Sequence, residues 1–287
     1  MTTYQTLLYY CYSPIAGAEQ FAADHLAFCK SLNLVGRIIV ADEGLNGTVS
    51  GTKESCEAYM AAIHADERFA KTDFKIDNVN EPSFIKMHCR YKSEIVHSGL
   101  RDPNIINPNI QTGKHLEPAA FQKMIDQDDV VILDVRSNYE HNLGKFKNAV
   151  TLDIENFRDF PDKINELARY KDKKVLTYCT GGIIKYGKEA GGEDFEGKCY
   201  VFDNRIAVDV NTVNPKIVST CRNCGTTTPK MINCANPECN EHFTQCDECG
   251  EKLQGCCSVA CTTNPRKRAY DGTGYYVKVP QPINTGK

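Results

Sequence analysis

Residues 173–183 read KKVLTYCTGGI. Residues 173–178 have the composition of a strand, and Cys179 follows it at once, ahead of Thr180, Gly181, Gly182 and Ile183. In an open α/β sheet, ligand chemistry gathers beyond the carboxyl ends of the strands. The two glycines allow backbone amides to converge on one centre, which stabilises a thiolate or a bound anion. A thiol ionised near neutral pH is a nucleophile, so Cys179 is the candidate catalytic residue and residues 180–183 its loop. The competing reading of the same residues is a buried cysteine beside a glycine turn.

Working outward, residues 129–134 (DVVILD) form a continuous apolar strand that suits a parallel sheet covered on both faces. A helix over 118–127, strands over 148–152 and 173–178, and a helix around 160–170 complete an α/β domain spanning 114–211. Cys199 lies in a strand-like run and reads as core. Residues 98–113 contain Gly99, Pro103, Pro108 and Gly113 and have the composition of a linker. Ahead of it, residues 1–97 order as β-α-β-β-α-β, the pattern of a ferredoxin-like sandwich. Its first helix, over 17–33, sets Phe21, Leu26, Phe28, Cys29 and Leu32 toward a core, and Thr52 is placed to cap the second. Tyr9, Tyr10 and Tyr12 read as packing residues of the first strand, with stacking on a base as the alternative, and Asp42 and Glu43 as solvated acids beside a turn. The chain is thus α/β and α+β, in several domains.

Nine of the 15 cysteines fall between Cys221 and Cys261. The pairs are Cys221-x2-Cys224, Cys234-x4-Cys239, Cys246-x2-Cys249, and Cys256 or Cys257 with Cys261. Such pairs set two thiolates on one tetrahedral ion, and four pairs fill two sites of four, sequentially or interleaved. Structural zinc is the implied cofactor, since a fully thiolate-ligated zinc has no open position for catalysis. His242 reads as a surface residue. Residues 212–287 therefore form a cysteine-rich module with a basic tail.

The formal net charge is −3, which excludes a global field for nucleic acid. Residues 211–287 nevertheless carry nine Lys and Arg against six Asp and Glu. Arg266, Lys267 and Arg268 are the densest basic cluster and a candidate phosphate contact. No apolar run approaches the roughly 18 residues of a membrane span. The first residues lack the basic and apolar regions of a signal peptide. These features point to a cytoplasmic protein with no role at a membrane, and no DNA partner is read.

Two motifs add a resemblance. Asp134-Val135-Arg136 with Glu140, His141 and Gly144, together with the loop from Cys179 to Ile183, resembles rhodanese domains. Residues 41–51 (ADEGLNGTVSG), Lys86-Met87-His88, Glu94-Ile95-Val96 and residues 197–210 are similar to the rhodanese-type tRNA uridine(34) hydroxylases, over almost the whole chain. The resemblance implies formation of 5-hydroxyuridine at the wobble position of tRNA with molecular oxygen as co-substrate. It implies Cys179 as the active cysteine, through a persulfide, with Asp134 and Arg136 stiffening the strand end. The family pattern continues Gly-Gly-Ile-Arg-Cys into a helix and reaches a second Gly-Gly-Ile before Lys-Tyr. Here Ile184 stands at the Arg position and Lys185-Tyr186 follow directly, as though about two dozen residues were absent. That implies loss of one strand and of the helix N-terminus facing the thiol, leaves a helix over 184–190 that stops at Gly191-Gly192, and exposes Ile183 and Ile184. Two alternatives share these residues: a thiosulfate or persulfide sulfurtransferase, and a zinc-binding RNA adaptor with a decayed rhodanese domain.

Overall fold

The structure, a computed structural model, describes residues 3–99, 108 and 110–274. Most of the stretch read as a linker (100–107 and 109) and the end of the tail (275–287) lie outside the described residues.

The first unit runs β1 (Tyr4–Tyr12), α1 (Ala18–Ser31), β2 (Val35–Ala41), β3 (Gly44–Thr52), α2 (Lys53–Ala65), β4 (Lys75–Val79) and β5 (Met87–Tyr91). Its sheet has the order β4-β1-β3-β2-β5, the ferredoxin-like arrangement with β5 added parallel to β2 at one edge. Alternation sorts each strand into two faces. Leu7 and Tyr9, Ile38 and Val40, Leu45 and Val49, and Met87 and Cys89 face the helices and form the core. Leu8 and Tyr10, Arg37 and Ile39, Asn46 and Thr48, and His88 and Arg90 lie on the other face. Thr52 caps α2 by accepting from the Ser55 amide. Helix α1 buries Ala22, His25 and Cys29, while Phe21, Leu26, Phe28 and Leu32 are only partly covered. His25 shares a buried cluster with the Tyr59 hydroxyl at 2.9 Å, and burial depresses its pKa to about 4.

The second unit contains α3 (Pro118–Met124), β6 (Val130–Asp134), α4 (Asn138–Leu143), β7 (Gly144–Phe146), β8 (Val150–Thr151), α5 (Phe160–Lys163), β9 (Lys174–Thr177), α6 (Thr180–Ala190), β10 (Phe195–Tyr200) and β11 (Ala207–Asp209). Strands β8-β6-β9 make a three-stranded parallel sheet, and β11-β10-β7 a separate antiparallel one. The helix read over 160–170 is one short α turn followed by 3-10 structure over Ile164–Tyr170. Strand β9 is an edge, and its Val175 is 45% exposed. Cys199 is fully buried in the core around Phe146, Tyr186 and Phe195.

The cysteine module carries β12 (Met231–Asn233), β13 (His242–Thr244), α7 (Asp247–Leu253) and α8 (Val259–Thr262). It packs on the second unit through His242, which lies between Tyr139 and Tyr200 and is 3.1 Å from the Tyr200 hydroxyl. His242 is therefore a half-buried junction residue and not a surface one. The first two units are joined at Asp77, which pairs with Lys188 at 2.7 Å and with Arg205. No helix among the described residues is long and apolar enough to cross a membrane.

Candidate active site and cysteine tetrads

Cys179 is the exposed N-cap of α6, an eleven-residue helix. The helix starts at Thr180, four residues earlier than the reading over 184–190, so the expected loss of its N-terminus does not occur. Thr180-Gly181-Gly182 are weak helix formers, yet they take helical geometry because the next turn is anchored. Ile183 and Ile184 are 0% and 5% exposed, where the sequence implied exposure. The Ile183 amide closes the first turn on the Cys179 carbonyl at 3.0 Å. Gly191, with φ +74°, ends the helix in the left-handed conformation that glycine accepts without strain. A helix N-terminus presents roughly half a positive charge and unpaired amides, and so favours an anion beside it.

The strand end before the thiol is fixed by a buried network. Asp134 accepts from the Arg136 backbone amide at 3.1 Å, from Nε at 2.9 Å and from Nη2 at 2.7 Å. The Tyr178 hydroxyl donates to Asp134 at 2.5 Å, and Arg136 Nη2 also donates to the Gly144 carbonyl at 2.8 Å. The residue next to Cys179 is thereby tied to the end of β6. Burial, then the Asp134 charge, raises the Tyr178 phenol, so it stays a donor. Ser137 and Glu140 form a capping box that starts α4. Burial pushes Glu140 up to about 7.

The first unit contributes to the same site. Tyr10, read from sequence as packing, is 41% exposed, and its hydroxyl lies near the Cys179 thiol, which adds to burial in raising the phenol's pKa. Strong side-chain alternation around Tyr9 hid this, because aromatic residues occupy both faces of β1. Lys75 lies along Gly181, where a Cβ would sit 3.5 Å from the lysine Cγ. Lys75 pairs with Asp73 at 2.5 Å and Lys185 with Glu117 at 2.6 Å. Burial alone would raise Asp73, but Lys75, then Lys185 and His115, hold it below the ordinary carboxylate value. The thiol thus sits where two domains meet, among alternating charges. Glu43, read as solvated, accepts from the Ile95 amide at 2.7 Å and clamps the segment after β5.

In the module the sulfurs gather in two interleaved groups: Cys221, Cys224, Cys246 and Cys249, and Cys234, Cys239, Cys257 and Cys261. Within each group all four lie within 4.8 Å of one another. Sulfur pairs stand 3.6 Å (Cys224–Cys246), 3.7 Å (Cys239–Cys257) and 3.6 Å (Cys257–Cys261) apart. A tetrahedron with metal–sulfur bonds of about 2.3 Å has edges of about 3.8 Å, so both groups fit one such ion. Cys256 is buried in the module's core. The basic trio is divided in its uses. Arg268 donates to the carbonyls of Cys234 and Ala235 and to Asn240, bracing the second tetrad, and Arg266 pairs with Glu238.

The sequence matches the UPF0176 acylphosphatase like domain over residues 4–95, the rhodanese-like domain over 117–190 and the rhodanase C-terminal region over 196–262. It is 55% identical to a protein of Cytophaga hutchinsonii named tRNA uridine(34) hydroxylase, across 97% of this chain and 96% of that one. That alignment runs over 302 positions, more than the 287 residues here, so the relative has residues without a counterpart in this chain. Proteins of the same name from Staphylococcus aureus and Streptococcus pneumoniae are each 46% identical over 92% of this chain and at least 90% of their own. With all three segments matched in order, and both rhodanese motifs meeting at one exposed thiol, the chain belongs to the tRNA uridine(34) hydroxylase family.

Proposed function

We propose that the chain hydroxylates uridine 34 of tRNA to 5-hydroxyuridine, with Cys179 as the reacting sulfur. The observation that carries this reading is the exposed thiol at the start of α6, met by Tyr10 from the first domain, in a chain so close to proteins of that name. Replacing the C5 hydrogen by a hydroxyl with molecular oxygen sends the second oxygen atom out as water. That exchange consumes two electrons and two protons from an external reductant. The chain's own residues hold the sulfur, as thiolate or persulfide, against the helix terminus. Tyr178, tied to Asp134, keeps the loop in place, and Tyr10 is set to donate a proton to the sulfur. In this reading the reaction runs in the cytoplasm, where thiols stay reduced.

Each tetrad holds one zinc ion in this reading. The eight thiols fit the ion's tetrahedral geometry and leave no ligand position vacant, so the metal's contribution is to folding. Arg266 and Lys267 stand at the module's surface as phosphate contacts.

The decayed-adaptor reading rested on the apparent deletion after Cys179, and the helix terminus that such a deletion was expected to remove is present. The direct test incubates unmodified tRNA, oxygen, a reductant and the purified chain, then measures nucleosides by mass spectrometry. Wild type is expected to form 5-hydroxyuridine at position 34, with the oxygen label of the gas, and Cys179→Ala to form none above background. Equal product from both proteins would remove Cys179 from the chemistry. No product from wild type alongside rapid thiocyanate formation from thiosulfate and cyanide would transfer the assignment to sulfur transfer.

A further inference from the structure

The first domain carries a cluster of cations far from the basic trio of the tail. Arg37 on β2 is the register partner of His88 on β5, and Arg90 follows two residues on, opposite Ile39. Lys86 precedes β5, and Lys30 ends α1 at the same edge. Arg37, Arg90, Lys86 and Lys30 are all exposed. Among the described residues none of them forms an ion pair, although 17 such pairs occur elsewhere, and Arg37 instead lies 5.9 Å from the Phe84 ring. The four are close enough to act on one group: burial, then Arg90, Arg37, Lys86 and Lys30, depress the His88 imidazole below its usual value. A chain of net charge −3 thus concentrates uncompensated positive charge at one edge of one sheet.

The sheet's register connects that edge to the thiol. Arg90 stands opposite Ile39, Ile39 opposite Asn46, and Asn46 opposite Tyr10, whose hydroxyl lies near Cys179. The neighbouring row runs His88, Arg37, Thr48, Leu8, Lys75. All these residues occupy the face turned away from the helices. The interior members are half-buried, Asn46 under the segment after β5, where its side-chain amide donates to the Ile95 carbonyl at 2.8 Å, and the two ends, Tyr10 and Arg90, are exposed. At about 4.8 Å per strand, three steps from β5 to β1 span roughly 14 Å. Single-stranded RNA is recognised elsewhere on four-stranded sheets of comparable width, where aromatic residues stack two or three bases.

We propose that this side of the first domain is the path of the RNA: Arg37, Lys86 and Arg90 take phosphates at the far edge, and the strand passes over the segment that covers Asn46 to deliver one base onto Tyr10 beside Cys179. The inference rests on the hydroxylase reading for the identity of its ligand, and uridine 34 lies in a single-stranded anticodon loop. Charge complementarity selects a polyanion, and the aromatic end beside the thiol selects one with bases.

The test uses the full-length chain and an unmodified tRNA transcript, with binding measured from 50 to 200 mM salt. Arg37→Ala/Lys86→Ala/Arg90→Ala is expected to weaken binding at least tenfold at 100 mM salt. Three lost phosphate contacts should also flatten the dependence of log Kd on log salt by about 2, at roughly 0.7 per single-stranded contact. Arg37→Lys/Arg90→Lys should stay within about threefold of wild type, since a charge suffices for a phosphate. Alkylation of Cys179 at the wild-type rate by the triple variant verifies that the fold and the thiol site persist. The proposal is overturned if the triple variant binds like wild type, or no more weakly than Lys123→Ala/Lys171→Ala/Lys252→Ala, which removes as much charge elsewhere. A wild type that binds tRNA with the expected triple-variant loss, yet leaves uridine 34 unmodified, sinks the hydroxylase reading and supports this surface. A triple variant that modifies uridine 34 with unchanged KM sinks the surface alone.

Discussion

Cys179 and the eight tetrad cysteines carry the same side chain in opposite settings. The tetrads come from one stretch of chain, and their sulfurs crowd to within 4.8 Å of each other. Four thiolates so close repel one another, so the arrangement calls for a cation. Cys179 stands alone and exposed, and its partners come from three distant parts of the sequence: Tyr10, Lys75 and the Asp134–Arg136 pair behind Tyr178. With the proposed zinc bound, one region is organised by an ion the chain must acquire, the other by contacts the chain makes for itself. Removing metal and removing a buried contact should therefore injure different regions.

The largest effect is expected from chelation. Stripping the two zinc ions proposed for each chain should unfold the module, because structural zinc contributes on the order of 10 kcal/mol or more to small domains. Hydrogen exchange would show protection lost over residues 221–261, while β1–β5 and the β6 sheet keep theirs. Cys179 should be alkylated at an unchanged rate. A module that stays protected after complete chelation would break the comparison, since its core would then stand on Ile232, Phe243 and Cys256 alone.

Next is Asp134→Asn. This keeps the shape of a fully buried side chain but leaves Arg136, 6% exposed, without its countercharge. Breaking one partner of a buried pair costs about 3–5 kcal/mol. Urea unfolding of the second domain should report that loss. Hydroxylation should lose kcat with little change in KM for tRNA, because the contact positions the loop and not the RNA. A variant of full stability would show that the β6 end does not hold the thiol loop.

The same contrast explains what could be read from sequence. The tetrads were legible because their ligands are close in the chain and their spacing states the chemistry, although only the structure chose the interleaved pairing. The sandwich was legible where alternation and turn residues agree, as at β2, β3 and the Thr52 cap. At the thiol, the loop was legible but its surroundings were not. Tyr10 was hidden among aromatic neighbours, and the start of α6 was misplaced because Gly181 and Gly182 argue against a helix that Ile183 and Ile184 anchor by burial. Arg268 looked like a phosphate contact because nothing local announces the carbonyls of Cys234 and Ala235 as its partners.

The smallest effect sharpens the comparison through pH. Glu140 is 6% exposed, and burial raises its pKa from 4.5 to about 7. Below pH 4.5 the acid is protonated in both folded and unfolded chains and costs nothing. Between 4.5 and 7 the folded chain keeps a proton that the unfolded chain releases, so stability falls as pH rises. Above 7 the penalty is constant, at about 3 kcal/mol. Glu140→Gln stays neutral and retains the capping-box donor and acceptor geometry. Its second domain should therefore match wild type near pH 4.5 and exceed it by up to that amount at pH 8, as urea midpoints would show. The metal-organised module should respond in the opposite sense, weakening as acid protonates its ligands. Parallel pH profiles for wild type and Glu140→Gln would mean that Arg136, which opposes the effect of burial, already holds this carboxylate ionised.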